Sequence, residues 1–204
     1  DEYGKSFDEA VYAMSVGDRY IQLGSLYPEV EVAFVYSSKS LIIRKALTFH
    51  DDKYAIDVKI DVENLENRSA VVPYKVVWGP GLFSDSASDS EKSTQISTSI
   101  NGKITNTKLE KLDKPLEYKG KIEWTAIHNK FFAAVFLMSS QEADVTAFHD
   151  NRGGLLLGLD HSNKVVPGTD SFSLYIGPKE SERLKSYNMG LNKLIDYGFF
   201  GILV

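Results

Sequence analysis

Histidine is the side chain in this sequence best suited to metal binding or to proton transfer near neutral pH. Its four copies are His50, His128, His149 and His161. No two of them are spaced as in an H-x-H or H-E-x-x-H motif, which would set two imidazoles on one metal ion. The sequence also has no cysteine, so thiolate metal sites, disulfides and thiol catalysis are excluded. We therefore expect neither a metal site nor a bound cofactor.

One acid–base arrangement stays open. His149 is followed by Asp150 and His161 is preceded by Asp160, and the two pairs flank a short pair of predicted strands. Such groups could converge on a sugar hydroxyl or exchange a proton with it. His50 instead falls in a predicted hairpin turn, where we expect a solvated surface position.

Two further motifs have structural interpretations. Gly153-Gly154 lacks the Lys-Ser/Thr pair and the following helix of a phosphate loop, so it predicts a hairpin turn. A cluster of aromatic residues could line a groove, but in a β-sandwich such residues mostly fill the core, which is what we expect for Trp124, Phe131, Phe132 and Phe136.

Composition limits the class of protein. The chain has 204 residues, of which 43% are apolar, enough to bury one sizeable core in a single domain. Its formal net charge is -5, whereas nucleic-acid-binding domains are usually basic. We therefore expect no nucleic acid partner.

Strand patterns dominate the chain. In residues 54–64, apolar Ile56, Val58, Ile60 and Val62 alternate with charged residues, the period of a strand with one wet face. Residues 41–49 precede it across a turn and residues 70–78 follow it, which predicts an antiparallel meander over 40–78. Turn residues bound seven more predicted strands, at 19–23, 30–36, 122–128, 131–138, 145–149, 155–159 and 171–176. Residues 84–99 are rich in Ser, Asp, Thr and Lys, which predicts a long exposed loop.

The last 28 residues change in character. Gly177-Pro178 ends the final predicted strand, and apolar residues then recur at three- and four-residue steps, which predicts an amphipathic helical segment. Asn188-Met189-Gly190 is expected to break it, because Gly disfavours a helix interior. We take this segment as the candidate site for coupling to a partner or a membrane, through Leu184, Tyr187, Leu191, Leu194, Ile195, Tyr197, Phe199 and Phe200.

Both ends of the sequence resemble cuts in a longer chain. Residue 1 is not Met, and residues 197–204 are almost wholly apolar, which is unusual for a free terminus in water. Eight residues are too few to span a bilayer, which needs about 20, but they could begin a membrane-associated segment.

Three stretches resemble the large periplasmic domain of YidC insertases. The first is the meander within 41–78, and the second is KIEWTAIHNKFFAA at 121–134, similar to a Trp-then-aromatic pair before a long strand. The third is YIGPK at 175–179 with LIDYGFFG at 194–201. In that family a Gly-Pro-Lys/Glu strand exit and a D-Y/F-G-W/F run lead toward the transmembrane core.

The resemblance implies a mainly β fold, a β-supersandwich similar to galactose-mutarotase-like domains, over residues 1–176, with a C-terminal helical segment over 177–204. It implies a scaffold on the extracytoplasmic side of a bacterial inner membrane, with no catalytic site of its own. The implied partners are nascent membrane proteins, the bilayer surface and the Sec translocon components SecD, SecF and SecY. The alternative is a secreted carbohydrate-binding or aldose-epimerase-like supersandwich that would use the acid–base pairs named above.

Overall fold

The computed structural model describes residues 10–17, 20–67, 70–79, 82, 94–108, 112–138, 144–149, 154–161 and 166–195. Strands account for most of these residues, and helical structure is confined to the C-terminal end of the described chain. In chain order the strands are β1 (Ala13–Met14), β2 (Glu29–Ser37), β3 (Leu41–His50), β4 (Ala55–Asn64), β5 (Tyr74–Trp78), β6 (Gln95–Ile100), β7 (Lys103–Lys108), β8 (Leu116–Tyr118), β9 (Ile122–His128), β10 (Phe132–Met138), β11 (Asp144–His149), β12 (Leu155–His161) and β13 (Gly168–Pro178).

The strands form two antiparallel sheets. The larger sheet has nine strands in the order β1-β2-β3-β4-β13-β10-β9-β6-β7, and the smaller has four in the order β5-β12-β11-β8. A helix α1 (Ser181–Ser186) and a 3-10 helix (Leu191–Leu194) follow β13. The predicted mainly β sandwich class with a C-terminal helical segment is confirmed.

The chain divides into two compact units, residues 1–75 with 161–174 and residues 76–160 with 175–204. The first unit contains the meander β2-β3-β4, whose register pairs Val32 with Leu47 and Leu47 with Val58. As the alternating pattern of β4 predicts, the apolar side chains of Ile60 and Val62 are buried. Asn64 ends this strand because its side-chain oxygen accepts the backbone N–H groups of the following turn, Glu66 at 2.9 Å and Asn67 at 2.8 Å.

The prediction of a third meander strand at 70–78 was wrong in its pairing. The strand is shorter, Tyr74–Trp78, and it lies beside β12 in the smaller sheet. The neighbour of β4 is instead β13, which is separated from it by about a hundred residues of sequence. Nine residues separate β4 from β5, too many for a tight hairpin that would keep the two strands paired.

The prediction of an exposed loop at 84–99 was wrong at its C-terminal end. Residues 95–100 form β6, whose four central side chains, Ile96 to Ser99, are buried. Residues 84–93 lie outside the described part of the chain. Composition misled here because β6 buries hydroxyl side chains that satisfy one another, as in the 2.8 Å contact of Thr98 Oγ1 with Thr125 Oγ1 on β9.

The remaining differences concern short or polar strands. Residues 20–23 of the predicted strand at 19–23 are not in a strand, and Arg19 lies outside the described residues. The sequence patterns did not predict β1, β7 or β8. β1 and β8 have only two and three residues, too few to show an alternating pattern. β7 has six residues but is mostly exposed, so it lacks an alternation of apolar side chains.

Replacing Thr98 by Val should lower the free energy of unfolding by about 1–3 kcal/mol, because it leaves the buried Thr125 hydroxyl without its partner. Denaturant unfolding of the purified chain measures this change. The double substitution Thr98→Val with Thr125→Val removes both polar groups and should cost much less than the sum of the two single changes. Additive costs would contradict this pairing.

Candidate membrane-coupling segment

The C-terminal segment, defined here as residues 179–195, begins where β13 leaves the larger sheet. The backbone N–H of Lys179 donates to the carbonyl of Phe131 at 2.7 Å. Its ammonium group donates to the carbonyl of Asn129 at 2.8 Å. Both carbonyls belong to the turn between β9 and β10, so main chain and side chain of Lys179 fasten the segment to that turn. The Tyr175 hydroxyl supports the exit by donating to the carbonyl of Pro178.

The β9–β10 turn is built by one buried side chain. The Oδ1 atom of Asn129 accepts the backbone N–H groups of Phe131 and Phe132, each at 2.9 Å. The backbone N–H of Asn129 donates to the carbonyl of Phe132 at 3.0 Å. This local bonding holds the turn in one conformation. The carbonyls that receive Lys179 are therefore held in position by the turn.

Helix α1 depends on packing. It has six residues and begins after Glu180, whose carbonyl accepts the N–H of Leu184 at 2.9 Å. A helix this short is unstable alone in water, so the burial of Leu184 must hold it. Exposed ion pairs, such as Lys185 with Glu182 at 2.8 Å, contribute little because water screens them.

The segment is interrupted where the sequence predicted a break. Asn188 has φ of 55° and Gly190 has φ of 73°, both in the left-handed region. Asn tolerates this region better than most residues, and Gly adopts it without steric cost. The chain then forms the 3-10 helix Leu191–Leu194. The predicted interruption at Asn188-Met189-Gly190 is confirmed.

The apolar side chains of the segment pack against strands β9, β10 and β13. Leu184 and Leu191 are fully buried and Leu194 is 3% exposed. The cluster that receives them consists of Trp124, Ala126, Ala133, Val135, Leu137 and Tyr175, with Ile104, Tyr187, Met189 and Ile195 packed around it. Burying one leucine side chain contributes about 1.5–3 kcal/mol to stability. Together, the three leucines therefore stabilise the segment more than its other described contacts do.

Two directed contacts fix the middle of the segment. The indole N–H of Trp124 donates to the carbonyl of Met189 at 2.8 Å. The rings of Tyr175 and Tyr187 meet edge to face with centroids 5.5 Å apart. Trp124 lies four residues before His128, the last residue of β9, which is about 14 Å along a strand. The segment therefore runs back along β9 from the β9–β10 turn.

A buried polar chain lies beside the start of the segment. The Nδ1 atom of His128 lies 3.3 Å from the ammonium of Lys179, and its Nε2 atom lies 2.7 Å from Ser97 Oγ. Ser97 Oγ in turn donates to Asn106 Oδ1 at 2.6 Å. Burial and the charge of Lys179 lower the pKa of His128 to about 4, although the backbone carbonyl of Asn129 partly offsets this. The imidazole is therefore neutral at pH 7.

The structure accounts for five of the eight candidate coupling residues. Leu184, Leu191 and Leu194 are buried in the cluster, and Tyr187 and Ile195 are partly buried against it. These five side chains hold the segment to the sheet. Tyr197, Phe199 and Phe200 lie outside the described residues, so their coupling role stays a prediction.

Sequence reasoning missed the residues that receive the segment. Trp124, His128 and Lys179 each lie within a stretch that resembles the YidC family. The groups that they contact, however, are distant in the sequence. The spacing of Gly177-Pro178-Lys179 marks a strand exit, and nothing in that spacing shows that Lys179 reaches the β9–β10 turn. No local pattern predicts such a contact.

The acid–base arrangement proposed from the sequence does not assemble. In the β11–β12 ladder His149 pairs with Leu155, whereas Asp160 pairs with Asp144, so His149 and Asp160 lie at opposite ends of the hairpin. Asp150 lies outside the described residues. The secreted sugar-binding alternative therefore loses the site that motivated it.

In the first unit, His161 belongs to a different group of side chains, in which His161 and Asp170 are buried. Its ring stacks on Tyr74 with centroids 4.9 Å apart, and its Nδ1 atom lies 3.7 Å from Asp170 Oδ2. Tyr74 donates its hydroxyl to Asp170. Burial raises the pKa of Asp170 to about 6. This group lies in the first unit and joins β5, β12 and β13 side chains.

The expectation for His50 was also wrong. His50 is not a solvated turn residue, because it ends β3 and its Nε2 atom lies 2.8 Å from Asp57 Oδ2. Burial alone would raise the pKa of Asp57, but hydrogen bonds from Ser173 and His50 and the charge of Lys53 lower it.

Of the four aromatic residues that we expected in the core, two are buried and two are exposed. Trp124 and Phe136 are buried, whereas Phe131 is 64% exposed and Phe132 is 51% exposed at the β9–β10 turn. Phe131 lies in the Asn129-built turn and Phe132 is the first residue of β10, at the end of the sheet where the β9–β10 pairing begins.

Within the ranges that the structure describes, no helix is long and apolar enough to cross a membrane. Among the same residues, no three His, Asp or Glu side chains are grouped to hold a metal ion.

Replacing Leu194 by Asp should detach the 3-10 helix and cost about 2–5 kcal/mol of unfolding free energy, because a carboxylate cannot be buried in the apolar cluster. Lys193→Asp is the matched control, since it places the same group on the exposed side of the same turn and should cost under about 0.5 kcal/mol. Thermal and denaturant unfolding measure both. Equal costs for the two variants would contradict the packing described.

Replacing Gly190 by Val should lower stability by about 1–2 kcal/mol, because a β-branched residue disfavours φ of 73°. Apart from Gly190 itself and its two chain neighbours, no described atom lies within 4 Å of the position that a Cβ would take, so the cost comes from the backbone conformation and not from a clash with packed residues. Gly190→Asn should cost clearly less, as Asn adopts this region more readily. Denaturant unfolding would refute the interpretation if Val and Asn were equivalent.

Comparison with known proteins gives one consistent result. The sequence model of the YidC periplasmic domain matches residues 4–204. A protein of Endomicrobium trichonymphae named membrane protein insertase YidC is 29% identical over 181 residues, covering 85% of this chain and 34% of that protein. The protein of the same name from Geobacter sp. (strain M21) is 26% identical over 206 residues, covering 98% of this chain and 38% of that protein.

The chain thus spans about one third of the length of these relatives. The family match extends from the first strand through the C-terminal segment, so it includes the β9–β10 turn, Lys179 and the buried leucines. By this match over nearly its whole length, the chain belongs to the family of YidC periplasmic domains.

Proposed function

We propose that this chain is the extracytoplasmic domain of a membrane protein insertase in the inner membrane of a bacterium. The observation that carries the proposal is the family match over residues 4–204. The relatives that bear the insertase name are about three times as long as this chain, which supports a domain within a larger membrane protein. Insertion itself would then depend on parts of the protein beyond these residues.

Within that protein the domain acts as a scaffold and interaction module without a catalytic site. Two of the described buried side chains that are capable of acid–base chemistry are hydrogen-bonded within the fold. His128 binds Ser97 beside Lys179, and Asp170 accepts the Tyr74 hydroxyl. Each of these groups is at least partly buried among strands, which fits a structural role.

The C-terminal segment couples the domain to the bilayer. Its buried leucines attach residues 184–194 to β9, β10 and β13, so the direction in which the chain continues is set by the sheet. Residues 197–204, with Tyr197, Phe199 and Phe200, then enter the membrane interface, where aromatic rings are favoured. A segment attached in this way transmits the orientation of the domain to the membrane-embedded parts.

The partners are nascent membrane proteins and the Sec components SecD, SecF and SecY. The two exposed phenyl rings of the β9–β10 turn support an interaction role, because their turn is held rigid by Asn129 and loses little entropy on binding. Lys130 lies 5.3 Å from the centroid of the Phe131 ring, so the same turn also presents a cation.

The experiment uses the full-length protein reconstituted in proteoliposomes and follows insertion of a single-span reporter protein. We expect insertion by the wild type and by Lys193→Asp, and strongly reduced insertion by Leu194→Asp, whose segment is detached. Absence of insertion by the wild type would refute the insertase function. Equal insertion by both variants would refute the coupling role alone.

A second measurement tests the interface position of the aromatic residues. The chain has no cysteine, so a single cysteine introduced at Tyr197 or Phe199 can carry a polarity-sensitive fluorophore. We expect an apolar environment and quenching by nitroxide lipids at both positions. A label at the exposed Lys193 serves as the water-facing control. Identical water-like spectra at all three positions would contradict the prediction.

A further inference from the structure

The hydrogens around His128 can be assigned from chemistry. The ammonium of Lys179 has three N–H donors and no lone pair, so Nδ1 of His128 at 3.3 Å can only accept. A neutral imidazole then carries its proton on Nε2, which donates to Ser97 Oγ at 2.7 Å. Ser97 in turn donates to Asn106 Oδ1 at 2.6 Å. Donors and acceptors match along the whole chain when His128 is neutral.

The reverse assignment conflicts with the same contacts. If Asn106 donated to Ser97 and Ser97 donated to Nε2, the ring proton would lie on Nδ1 and point to the Asn129 carbonyl, which would place it against the Lys179 ammonium at 3.3 Å. The position of Lys179 therefore selects the tautomer of His128. Equally, the neutral Nε2–H tautomer supplies the acceptor that holds Lys179.

Protonation of His128 would reverse this attraction. The new Nδ1–H group would face the Lys179 ammonium at 3.3 Å, two cations in a buried site. It would also compete for the Asn129 carbonyl, which Lys179 now binds at 2.8 Å. Both contacts by which the Lys179 side chain fastens the start of the C-terminal segment to His128 and to the β9–β10 turn would be weakened.

The backbone carbonyl of Asn129 is the group that partly offsets that charge. The residues that face or pair with it are Gln95 and Ser97 of β6, Asn106 of β7, Ala133 of β10 and Lys179 of the C-terminal segment. Among the described residues, the charged side chain in contact with the imidazole is that of Lys179. The nearby Glu180 is exposed and binds Arg183 at 3.2 Å.

We propose that His128 and Lys179 form an acid-sensitive latch, closed while the imidazole is neutral and opened by its protonation. Opening frees the first residues of the C-terminal segment, while Trp124 and the buried leucines still hold its later part. A lower external pH would thus free the start of the C-terminal segment, which connects the sheet to the residues that follow. Its geometry does not depend on the proposed insertase function.

The direction of the pH dependence follows from the pKa of His128. That pKa is about 4 in the closed state against 6.5 for the free side chain, so the closed state binds fewer protons than the open one. The latch is therefore fully favoured above pH 6.5 and is weakened as the pH falls from 6.5 to 4. The opening equilibrium should therefore rise as the pH falls through this window, because opening is coupled to proton uptake by His128.

Hydrogen exchange on the 204-residue chain tests the latch. The reporting amides are those of Lys179, bonded to the Phe131 carbonyl, and Leu184, bonded to the Glu180 carbonyl. After correction for the intrinsic exchange rate, we expect their protection to fall by at least tenfold between pH 6.5 and 4.5. Unchanged protection over this range would overturn the proposal.

Variants separate the latch from general acid unfolding. His128→Asn keeps an acceptor near the position of Nδ1 without titrating, so protection of Lys179 and Leu184 should become independent of pH. Lys179→Met should give low protection at every pH. His50→Asn, a histidine of the first unit that binds Asp57, should leave the wild-type pH profile unchanged. Acid-dependent opening that persists in His128→Asn would overturn the proposal.

A measurement on the wild type keeps the test independent of variant folding. Imidazole nitrogen chemical shifts report the tautomer and the titration of His128 directly. We expect the Nε2–H tautomer at pH 7 and a neutral ring at pH 5.5. An Nδ1–H tautomer, or titration near pH 6.5, would refute the latch.

Discussion

Packing of the C-terminal segment onto β9, β10 and β13 is the interaction on which the second unit depends. Leu184, Leu191 and Leu194 cover the face that carries Trp124, Val135 and Tyr175. Neither side is stable alone, because a six-residue helix does not persist in water and an uncovered apolar sheet face of this size costs free energy. Segment and sheet therefore stabilise each other, and the segment is part of the folded domain.

This mutual burial explains why the polar contacts of the segment are so few and so directed. Lys179 fastens its start to the β9–β10 turn, and the indole of Trp124 fastens its middle through the carbonyl of Met189. Hydrogen bonds contribute only about 0.5–1.5 kcal/mol each, so they select one arrangement of the segment while the leucines supply most of the stability. An arrangement selected at two points has a defined direction.

Inside the larger sheet, buried polar side chains are also bound to specific partners. Thr98 and Thr125 bind each other across β6 and β9, and Ser97 links His128 to Asn106. Such groups can be buried because each has a partner at hydrogen-bond distance. They also make the site sensitive to protonation, since a histidine buried beside a lysine cannot take up a proton without breaking its contacts. Stability and acid sensitivity have the same physical origin here.

The sequence by itself determined the strand class, the β3-β4 hairpin, the break at Asn188-Met189-Gly190 and, through three motifs, the resemblance to the YidC family. These features are local, because alternation, turn residues and left-handed positions act on neighbours in the chain. Tertiary structure decided that β5 pairs with β12, that the hydroxyl-rich β6 is buried, and that Lys179 reaches Asn129 and His128. Those outcomes depend on partners that are distant in the sequence, and only the folded sheets bring them within the few ångströms over which packing and hydrogen bonds act.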